Sequence, residues 1–297
     1  MKETVEFRIN YDYAYLLFGI DEGKDLGQFN KSVKIITLSK DDPRYNQIPI
    51  VSKKVRDTYD KGFLYSWQIK RKYTKKELEN ATILQVKIKT AFEPTGEECG
   101  TLYDERVACE ICGANRKQIS QLMLKKGSIP KKDIARTIGG QIVVSEKFVK
   151  VFKQRNFKGA IIRPITFSNQ VVSGYYQLSA SDKFELSKNT IAGDDPFESS
   201  EGSNEGTYDI SGYEIKYEKE VYKCPKGHII GLNILSEAYV LNNAEIYKTD
   251  FFCSNQKIGV RRGLLQPEPI YFCSQDFKKM VEEEKLIGFD FEVAKIG

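Results

Sequence analysis

Two segments of the chain follow the same pattern of an apolar strand, an amphipathic helix and a second apolar strand. They are Ile142–Ile165 and Tyr271–Val293. In each, a serine precedes apolar residues spaced by three and four, and a glycine follows them. The corresponding positions are always 129 residues apart: Ser145 and Ser274, Phe148 and Phe277, Gly159 and Gly288. The pattern predicts a serine cap, one buried helix face and a glycine that ends the helix in the left-handed conformation.

This repetition predicts a duplicated strand–helix–strand unit, although the same order of elements is common enough to arise by chance. With 297 residues, 40% of them hydrophobic, the chain is long enough for two domains with sizeable cores. Short apolar runs predict further strands at Val33–Leu38, Ile48–Val51 and Ile83–Phe92. Thr74, with Glu77 three residues later, predicts a capped short helix. We therefore predict an α+β fold with mixed and antiparallel sheets.

Composition divides the chain into four parts. Residues 1–98 are expected to form a β-rich N-terminal region, residues 99–186 a half with the first copy of the unit, and residues 212–297 a half with the second copy. Between the halves, Ser187–Ser211 is rich in Gly, Ser, Asp and Glu and poor in large apolar residues. Such a segment buries too little surface to offset its ordering entropy, so we predict a mobile acidic loop there.

No pattern in the chain predicts export or membrane insertion. The N-terminal residues lack the apolar core and the cleavage site of a signal peptide. No stretch approaches the roughly 18 consecutive apolar residues of a membrane span. These features predict a cytoplasmic protein. In that compartment the six cysteines stay reduced, and they serve metal binding, packing or redox chemistry rather than disulfides.

Two short turns carry residues that suit a metal ion. The first, CEICG at Cys109–Gly113, offers two thiolates at the spacing of a zinc knuckle. The second, CPKGH at Cys224–His228, offers one thiolate and the only histidine of the chain. Cysteines that merely pack in a core, or a redox-active Cys-x-x-Cys pair, are the alternatives. We predict one structural zinc ion that joins the two halves and is bound by Cys109, Cys112, Cys224 and His228.

The remaining cysteines are weaker candidates for metal binding. Cys99 lies beside a glycine and could be an additional ligand near the metal. Cys253 and Cys273 stand in apolar runs, where cysteine usually packs as a small hydrophobic residue. We therefore expect Cys253 and Cys273 to belong to the core.

Two basic segments could bind other molecules. Arg261 and Arg262 follow a strand-like run and could hold an anion or an acidic partner, although such a pair more often caps carbonyls or forms surface ion pairs. Gln68–Lys76 combines basic residues with Trp67 and Tyr73, as a platform for single-stranded nucleic acid does, but a solvated strand face explains it as well. The net charge of +5, from 46 basic and 41 acidic residues, does not by itself indicate a nucleic-acid-binding protein.

The order of these motifs resembles that of a protein family. CEICG is followed by IPKKDIARTIGGQIVVSEKF, then by CPKGH, and finally by VRRGLLQPEPIYFCSQDF and GFDFEVA. Over roughly residues 100–297 this order is similar to the bacterial double-CxxCG-motif immunity proteins. The resemblance implies a cytoplasmic antidote that binds and neutralises a toxin delivered by neighbouring cells. The second knuckle departs from the family pattern, because the family has Cys-x-x-Cys-Gly and this chain has Cys224-Pro-Lys-Gly-His228. Histidine in place of the second cysteine is a ligand that zinc accepts.

The sequence and the resemblance together predict a zinc-stabilised binding protein. Its expected partner is a protein toxin, whose working site a rigid surface of this chain would cover. The toxin follows from the resemblance alone. A zinc-knuckle protein that binds nucleic acid is the alternative, and no membrane partner is expected. We expect no enzyme activity, because four protein ligands leave zinc no open coordination position and a bound His228 cannot shuttle protons.

Overall fold

A computed structural model shows how the chain divides into two units, Met1–Thr74 with Asp195–Ser203, and Lys75–Asp194 with Asn204–Gly297. None of the helices that the structure describes is long and apolar enough to cross a lipid bilayer. The described residues are 1–22, 28–30, 32–167, 171–193, 197, 205–210, 213–218, 223–229, 233–259, 261 and 263–297.

The described residues of the first unit form a four-stranded antiparallel sheet and two α-helices. The elements are β1 Lys2–Asn10, α1 Tyr15–Glu22, β2 Gln28–Asn30, β3 Val33–Leu38, α2 Ile48–Tyr59 and β4 Leu64–Lys72, with short 3-10 helices at Tyr11–Tyr13 and Tyr45–Gln47. The strands pair in the order β2-β3-β1-β4, so that β4 is an edge strand of the sheet. Alternate residues of β1 form the centre of the core, namely Val5, Phe7 and Ile9.

One predicted strand of the first unit is a helix instead. The run Ile48–Val51, which we predicted to be extended, begins α2. Its buried residues are Ile48, Val51 and Val55, whose spacing of three and four is that of a helix face. Pro49 lies in the first turn, where the missing N–H costs no hydrogen bond. The prediction was wrong because four residues are too short a window to show the helical period.

Where the structure describes it, the second unit has two six-stranded sheets and three α-helices. Its first part consists of α3 Lys75–Asn80, β5 Ile83–Ile88, β6 Ala91–Phe92, β7 Tyr103–Asp104, β8 Lys117–Gln118, β9 Met123–Leu124, β10 Ile134–Thr137, β11 Ile142–Ser145, α4 Glu146–Gln154, β12 Ala160–Phe167 and β13 Val172–Ala180. Its second part consists of β14 Lys183–Phe184, β15 Ala192–Gly193, β16 Glu205–Ile210, β17 Tyr213–Glu218, β18 Asn233–Ile234, β19 Ala238–Val240, β20 Phe251–Ile258, β21 Glu268–Cys273, α5 Gln275–Glu283 and β22 Phe289–Ile296. Short 3-10 helices lie at Glu97–Cys99 and Ala244–Lys248.

Both large sheets are mixed. One has the strand order β6-β10-β11-β13-β12-β9 and the other β14-β20-β21-β5-β22-β19. The inner strands pair antiparallel, whereas the short strand at each end of a sheet pairs parallel to its neighbour. Three further pairs form small two-stranded sheets, β7 with β8, β15 with β18 and β16 with β17. The predicted α+β fold with mixed and antiparallel sheets is confirmed.

The two similar segments adopt the same local structure, β11-α4-β12 and β21-α5-β22. The hydroxyl of Ser145 accepts a hydrogen bond from the N–H of Phe148, and that of Ser274 accepts one from the N–H of Phe277, each at 3.2 Å. Both phenylalanines are fully buried in one shared core, with ring centroids 6.1 Å apart. The serine caps therefore form as predicted, while descent of both segments from one duplicated ancestor stays a prediction.

The glycines of the two segments do not end their helices, which corrects our prediction. The residues that turn left-handed after α4 and α5 are Asn156, with φ of 54°, and Lys285, with φ of 51°. Gly159 and Gly288 follow three residues later, with φ of 91° and 108°. Their role is a close approach between the two segments.

At each of these glycines the backbone touches a strand of the other half. A β-carbon at Gly159 would lie 2.0 Å from the carbonyl oxygen of Phe251 in β20. A β-carbon at Gly288 would lie 2.2 Å from the carbonyl oxygen of Ile134 in β10. Only glycine combines the positive φ with the absence of a side chain that this contact requires.

Each half also contributes an aspartate whose two carboxylate oxygens join the halves. Asp133 accepts a hydrogen bond from the capping serine of its own half at 2.7 Å, and one from the N–H of Ile287 at 2.8 Å. Asp250 accepts the equivalent two bonds, from its own capping serine at 3.0 Å and from the N–H of Lys158 at 2.9 Å. The helix cap of one half is thereby tied to the backbone of the other.

The boundary between the two units lies at Thr74, rather than at residue 98 as we predicted. The reason is that β5 lies inside the second large sheet, where it pairs antiparallel with both β21 and β22. Residues from opposite ends of the second unit thus share one sheet. Sequence composition shows no break at Thr74, since short strands and helices continue on both sides.

The segment Ser187–Ser211, predicted to be a mobile loop, has structure where it is described. It contains β15 and β16. Phe197 is buried in the core of the first unit, where its ring meets that of Phe7 edge to face at 4.8 Å between centroids and that of Trp67 at 5.4 Å. Residues 194–196, 198–204 and 211 lie outside the described residues, so the mobility of the segment stays a prediction.

Substitution of Gly159 by alanine tests the close approach. We expect Gly159→Ala to lower the free energy of unfolding by about 2 to 5 kcal/mol, since a strained backbone and a clash with the Phe251 carbonyl add together. The matched control is Gly174→Ala. Gly174 has a φ of 75°, but a β-carbon there would meet nothing within 4 Å, so only the backbone cost of about 1 to 2 kcal/mol is expected.

Urea unfolding of the full chain, followed by circular dichroism, measures both variants. Equal losses of stability in Gly159→Ala and Gly174→Ala would contradict the proposed role of Gly159.

Candidate metal centre

The first cysteine turn folds back on itself through its own backbone. The N–H of Gly113 donates to the carbonyl of Cys109 at 2.8 Å, and the N–H of Cys109 donates to the carbonyl of Ala114 at 2.7 Å. Gly113 has a φ of 75°, and a β-carbon there would lie 2.6 Å from the Cβ of Arg261. Glycine is therefore needed for the turn and for the close approach of Arg261.

The second turn is closed in a similar way. The N–H of Cys224 donates to the carbonyl of His228 at 2.8 Å, and the N–H of Gly227 donates to the carbonyl of Cys224 at 2.7 Å. Gly227 has a φ of 82°, which the tight turn requires. Lys223 and Ile229 form an isolated antiparallel bridge just outside it. Cys224 and His228 consequently lie on the same side of a short hairpin.

The four donor atoms of the two turns converge. The sulfurs of Cys109, Cys112 and Cys224 and a ring nitrogen of His228 all lie within 4.8 Å of one another. His228 Nδ1 is 3.6 Å from the sulfur of Cys112 and 3.5 Å from that of Cys224. The three cysteines are buried and the histidine is half-buried. The residues that we predicted as ligands are thus brought together from positions more than one hundred apart in sequence, and they could bind a metal ion.

A polar side chain fixes the orientation of the histidine ring. The carboxamide of Asn115 lies 3.0 Å from Nε2 of His228, on the side of the ring away from the sulfurs. When Nδ1 binds a metal ion, Nε2 carries the ring proton and donates a hydrogen bond to the carboxamide oxygen of Asn115. A half-turn of the amide group brings that oxygen to the position facing Nε2. Partners of this kind orient a metal-bound histidine and raise its basicity.

Burial and neighbouring charges act differently on the thiols. At Cys109 burial favours the neutral thiol, but N–H groups of Cys112 and Ile111 donate to its sulfur, and the net effect lowers the pKa. At Cys112 burial is the largest influence and raises the pKa to about 12, and the negative charge of Cys224 adds to it. A divalent cation at the centre of the cluster would reverse this balance and stabilise all three thiolates.

Ion pairs brace the two turns from outside. Lys226 in the second turn pairs with Glu110 in the first at 2.8 Å. The backbone N–H of Arg261 donates to the carbonyl of Cys112 at 2.9 Å, and its guanidinium pairs with Glu105 at 3.1 Å. Arg261, which we predicted as a weak binding residue, is therefore engaged in holding the first turn. Its predicted companion Arg262 lies outside the described residues.

A second arginine, which the sequence did not single out, anchors the chain shortly after the same turn. The side chain of Arg116 is buried and pairs with Glu105 at 2.5 Å and with Glu97 at 2.9 Å. Its guanidinium stacks over the ring of Tyr103, 4.0 Å from the centroid. Asn115 and Arg116 come shortly after the first cysteine turn, and this position was the one sequence signal that could have identified them. Their partners, however, are distant in sequence and have no local signal.

The other cysteines lie outside the cluster. Cys99 is half-buried and is not among the clustered donors that the described residues form. Cys253 in β20 and Cys273 in β21 are buried strand residues, as predicted. Burial raises the pKa of the Cys253 thiol to about 11 and that of Cys273 well above its usual value, so both remain neutral packing groups.

Two basic residues of the run Gln68–Lys76 pair with acidic neighbours in the first unit. Arg71 pairs with Glu3 at 2.8 Å and Lys70 pairs with Glu6, both across the β1-β4 ladder. Trp67 packs against the core of the unit. The aromatic ring that we predicted as a stacking platform is therefore occupied by packing.

No protein-family model matches the chain, and no curated protein matches it.

Removal of one central thiol tests whether the cluster holds a metal ion. We expect Cys112→Ser to reduce the metal content of the purified chain from about one ion to a small fraction of one, because a serine hydroxyl replaces a buried thiolate ligand poorly. The melting temperature should fall as well, since ligand binding free energy is then lost from the folded state. Cys99→Ser is the matched control and should keep both values. Inductively coupled plasma mass spectrometry measures the metal, and a Cys112→Ser protein with unchanged content would contradict the site.

The contact between Asn115 and His228 has its own test. We expect Asn115→Gly to weaken metal binding by about 10-fold to 100-fold, as loss of a histidine-orienting partner does. Glycine also suits the φ of 70° at this position, so the backbone need not change. Asn156→Gly, at another left-handed asparagine with φ of 54°, is the control. Competition with a chromophoric chelator gives the affinities, and equal affinities in the two variants would argue against the role of Asn115.

Proposed function

We propose that the ion bound by the cluster is zinc. In a tetrahedral site with zinc–sulfur bonds of about 2.3 Å and zinc–nitrogen bonds of about 2.0 Å, sulfur and nitrogen are about 3.5 Å apart. The nitrogen of His228 lies 3.5 and 3.6 Å from the sulfurs of Cys224 and Cys112, which supports this geometry. Thiolate and imidazole donors also suit zinc better than the harder magnesium or calcium ions.

We further propose that the ion is structural and not catalytic. Three thiolates and one imidazole complete a tetrahedral shell, so a substrate would find no open position on the metal. The surrounding ion pairs, Lys226 with Glu110 and Arg261 with Glu105, brace the turns around the ion. A metal in this arrangement links two distant parts of the second unit and stabilises them.

On this basis we propose that the protein is a cytoplasmic antidote that binds a protein toxin and covers its working site. The observation that carries the proposal is the closed Cys₃His cluster, which occurs in the motif order that resembles the double-CxxCG-motif immunity proteins. A scaffold clamped by a metal ion presents a surface that loses little conformational entropy on binding, and such preorganisation favours tight complexes. A reducing compartment, as the cytoplasm is, would keep the three thiols available to the metal.

The alternative, a zinc-knuckle protein that binds nucleic acid, has less support. Its best candidate surface was the basic run Gln68–Lys76. There Lys70 and Arg71 are paired with Glu6 and Glu3 across the sheet, which reduces the charge offered to phosphates. Binding to nucleic acid would release counterions and therefore weaken steeply with salt.

Growth protection tests the antidote proposal. The genes next to the one for this chain are searched for a toxin-like protein, which is then produced in a bacterial host, alone and together with this chain. We expect the chain to restore growth and to form a stable complex with the purified toxin in size-exclusion chromatography. Cys112→Ser should protect less than the native chain, whereas Cys99→Ser should protect equally, because only the first variant loses the clamp.

Two results would contradict the proposal. One is a toxin-like neighbour that arrests growth equally with and without this chain, or the absence of any such neighbour. The other is binding of the chain to a single-stranded oligonucleotide, measured by fluorescence anisotropy, with an affinity that falls steeply between low and physiological salt. The second result would favour the nucleic-acid alternative.

A further inference from the structure

A cavity of about 180 Å³ lies within the second unit, and the described residues that line it do not include the four candidate metal ligands. Gln177 of β13 lines it from one six-stranded sheet, and Lys257 of β20 and Tyr271 of β21 line it from the other. Gly113 and Arg116, from the first cysteine turn and its continuation, form another part of the wall. Both large sheets and the metal-binding turn therefore meet around one space.

One amide in the wall of this cavity has no hydrogen-bond partner. Both Nε2 and Oε1 of Gln266 are buried and unpaired within the part of the chain that the structure describes. The neighbouring glutamines of the wall differ, since Gln177 bonds to Gln118 at 2.7 Å and Gln141 bonds to the hydroxyl of Tyr103 at 2.8 Å. An unpaired buried amide costs free energy. A ligand that accepts a hydrogen bond from Nε2 and donates one to Oε1 would remove this cost.

A cation in the same wall, Lys257, forms no ion pair with a carboxylate among the described residues. The acidic residue of the described wall is Glu268, and both of its carboxylate oxygens are held by Arg136 at 2.6 and 2.7 Å. Burial lowers the pKa of Lys257, and the positive charge of Lys183 lowers it further. Since a cation removed from water is stable only when paired, an anion in the cavity would relieve both effects.

The size of the cavity limits the ligand. Sites for drug-sized molecules occupy about 300 to 1,000 Å³, so this space suits a smaller molecule. The charge of Lys257 requires an anionic group, and the amide of Gln266 requires a neighbouring group that accepts and donates hydrogen bonds. A carboxylate with an adjacent hydroxyl or ammonium group has both.

We propose that this cavity binds a small organic carboxylate bearing a hydroxyl or ammonium group, with Lys257 against the carboxylate and the amide of Gln266 against the second group. The Gln266 Nε2 donates to an oxygen of the ligand, and Oε1 accepts from its hydroxyl or ammonium. This site needs neither a toxin nor an open metal position, and so it stands or falls independently of the proposed antidote function.

Calorimetric titration of the full metal-loaded chain with four probes tests the proposal. Glycolate and L-serine carry both required groups, acetate lacks the second, and glycolamide lacks the charge. We expect glycolate and L-serine to bind, and acetate and glycolamide to bind at least about tenfold more weakly. Acetate lacks the group that pairs with Gln266, and glycolamide lacks the charge that pairs with Lys257. At ten times its dissociation constant, glycolate should raise the melting temperature by about 3 °C.

Substitutions locate the binding. Lys257→Met and Gln266→Leu should each weaken binding of glycolate by about tenfold or more, whereas Lys126→Met, at an exposed lysine outside the cavity, should leave it unchanged. Absence of binding by both glycolate and L-serine, or equal binding in all three variants, would show that the cavity holds only water. If a cavity variant fails to fold, the affinities of the native chain for glycolate and for glycolamide are compared instead. A ratio of these two affinities near one would overturn the proposal.

Discussion

The second unit depends on a backbone approach that only glycine permits. At Gly159 and again at Gly288, one half places its chain directly against a carbonyl oxygen of the other, at a distance that leaves no room for a β-carbon. Because these two backbone segments lie so close together, an aspartate of each half accepts a hydrogen bond from a backbone N–H of the other half. The same aspartate also accepts one from the capping serine of its own half. The shared aromatic core of Phe148 and Phe277 follows from this arrangement, since both helices are then fixed over the same apolar layer.

The first cysteine turn lies in a part of the second unit that has little regular secondary structure. Between β6 and β10 the chain has only strands of two residues, β7, β8 and β9, which contribute few backbone hydrogen bonds. A metal ion bound by Cys109, Cys112, Cys224 and His228 would stabilise this region by another route, since ligand binding free energy becomes folding free energy. Burial of the Cys112 sulfur makes the same point, because the thiolate form is favoured there only when a cation is close.

Features encoded within a few residues could be predicted from the sequence, and features that join distant residues could not. Ser145 and Ser274 were recognised as caps because a cap is defined by the three residues that follow it. The four clustered cysteine and histidine residues were recognised because their chemistry is distinctive, even though the two turns are far apart in sequence. In contrast, the central position of β5, the burial of Phe197 and the role of Gly159 result from tertiary contacts, and local composition is silent about all three.

The polar groups of the second unit fall into two sets, one that is paired within the chain and one that is not. Around the metal cluster they are matched within the chain, as with Asn115 and His228 or Lys226 and Glu110. In the adjacent cavity the amide of Gln266 is not matched among the described residues. A matched set adds stability and offers little to a ligand, whereas an unmatched buried group gains free energy when a ligand supplies its partner. Because the turn at Gly113 borders both, loss of the metal would disturb the wall of the cavity, and the cluster would thereby support a binding site that it does not itself form.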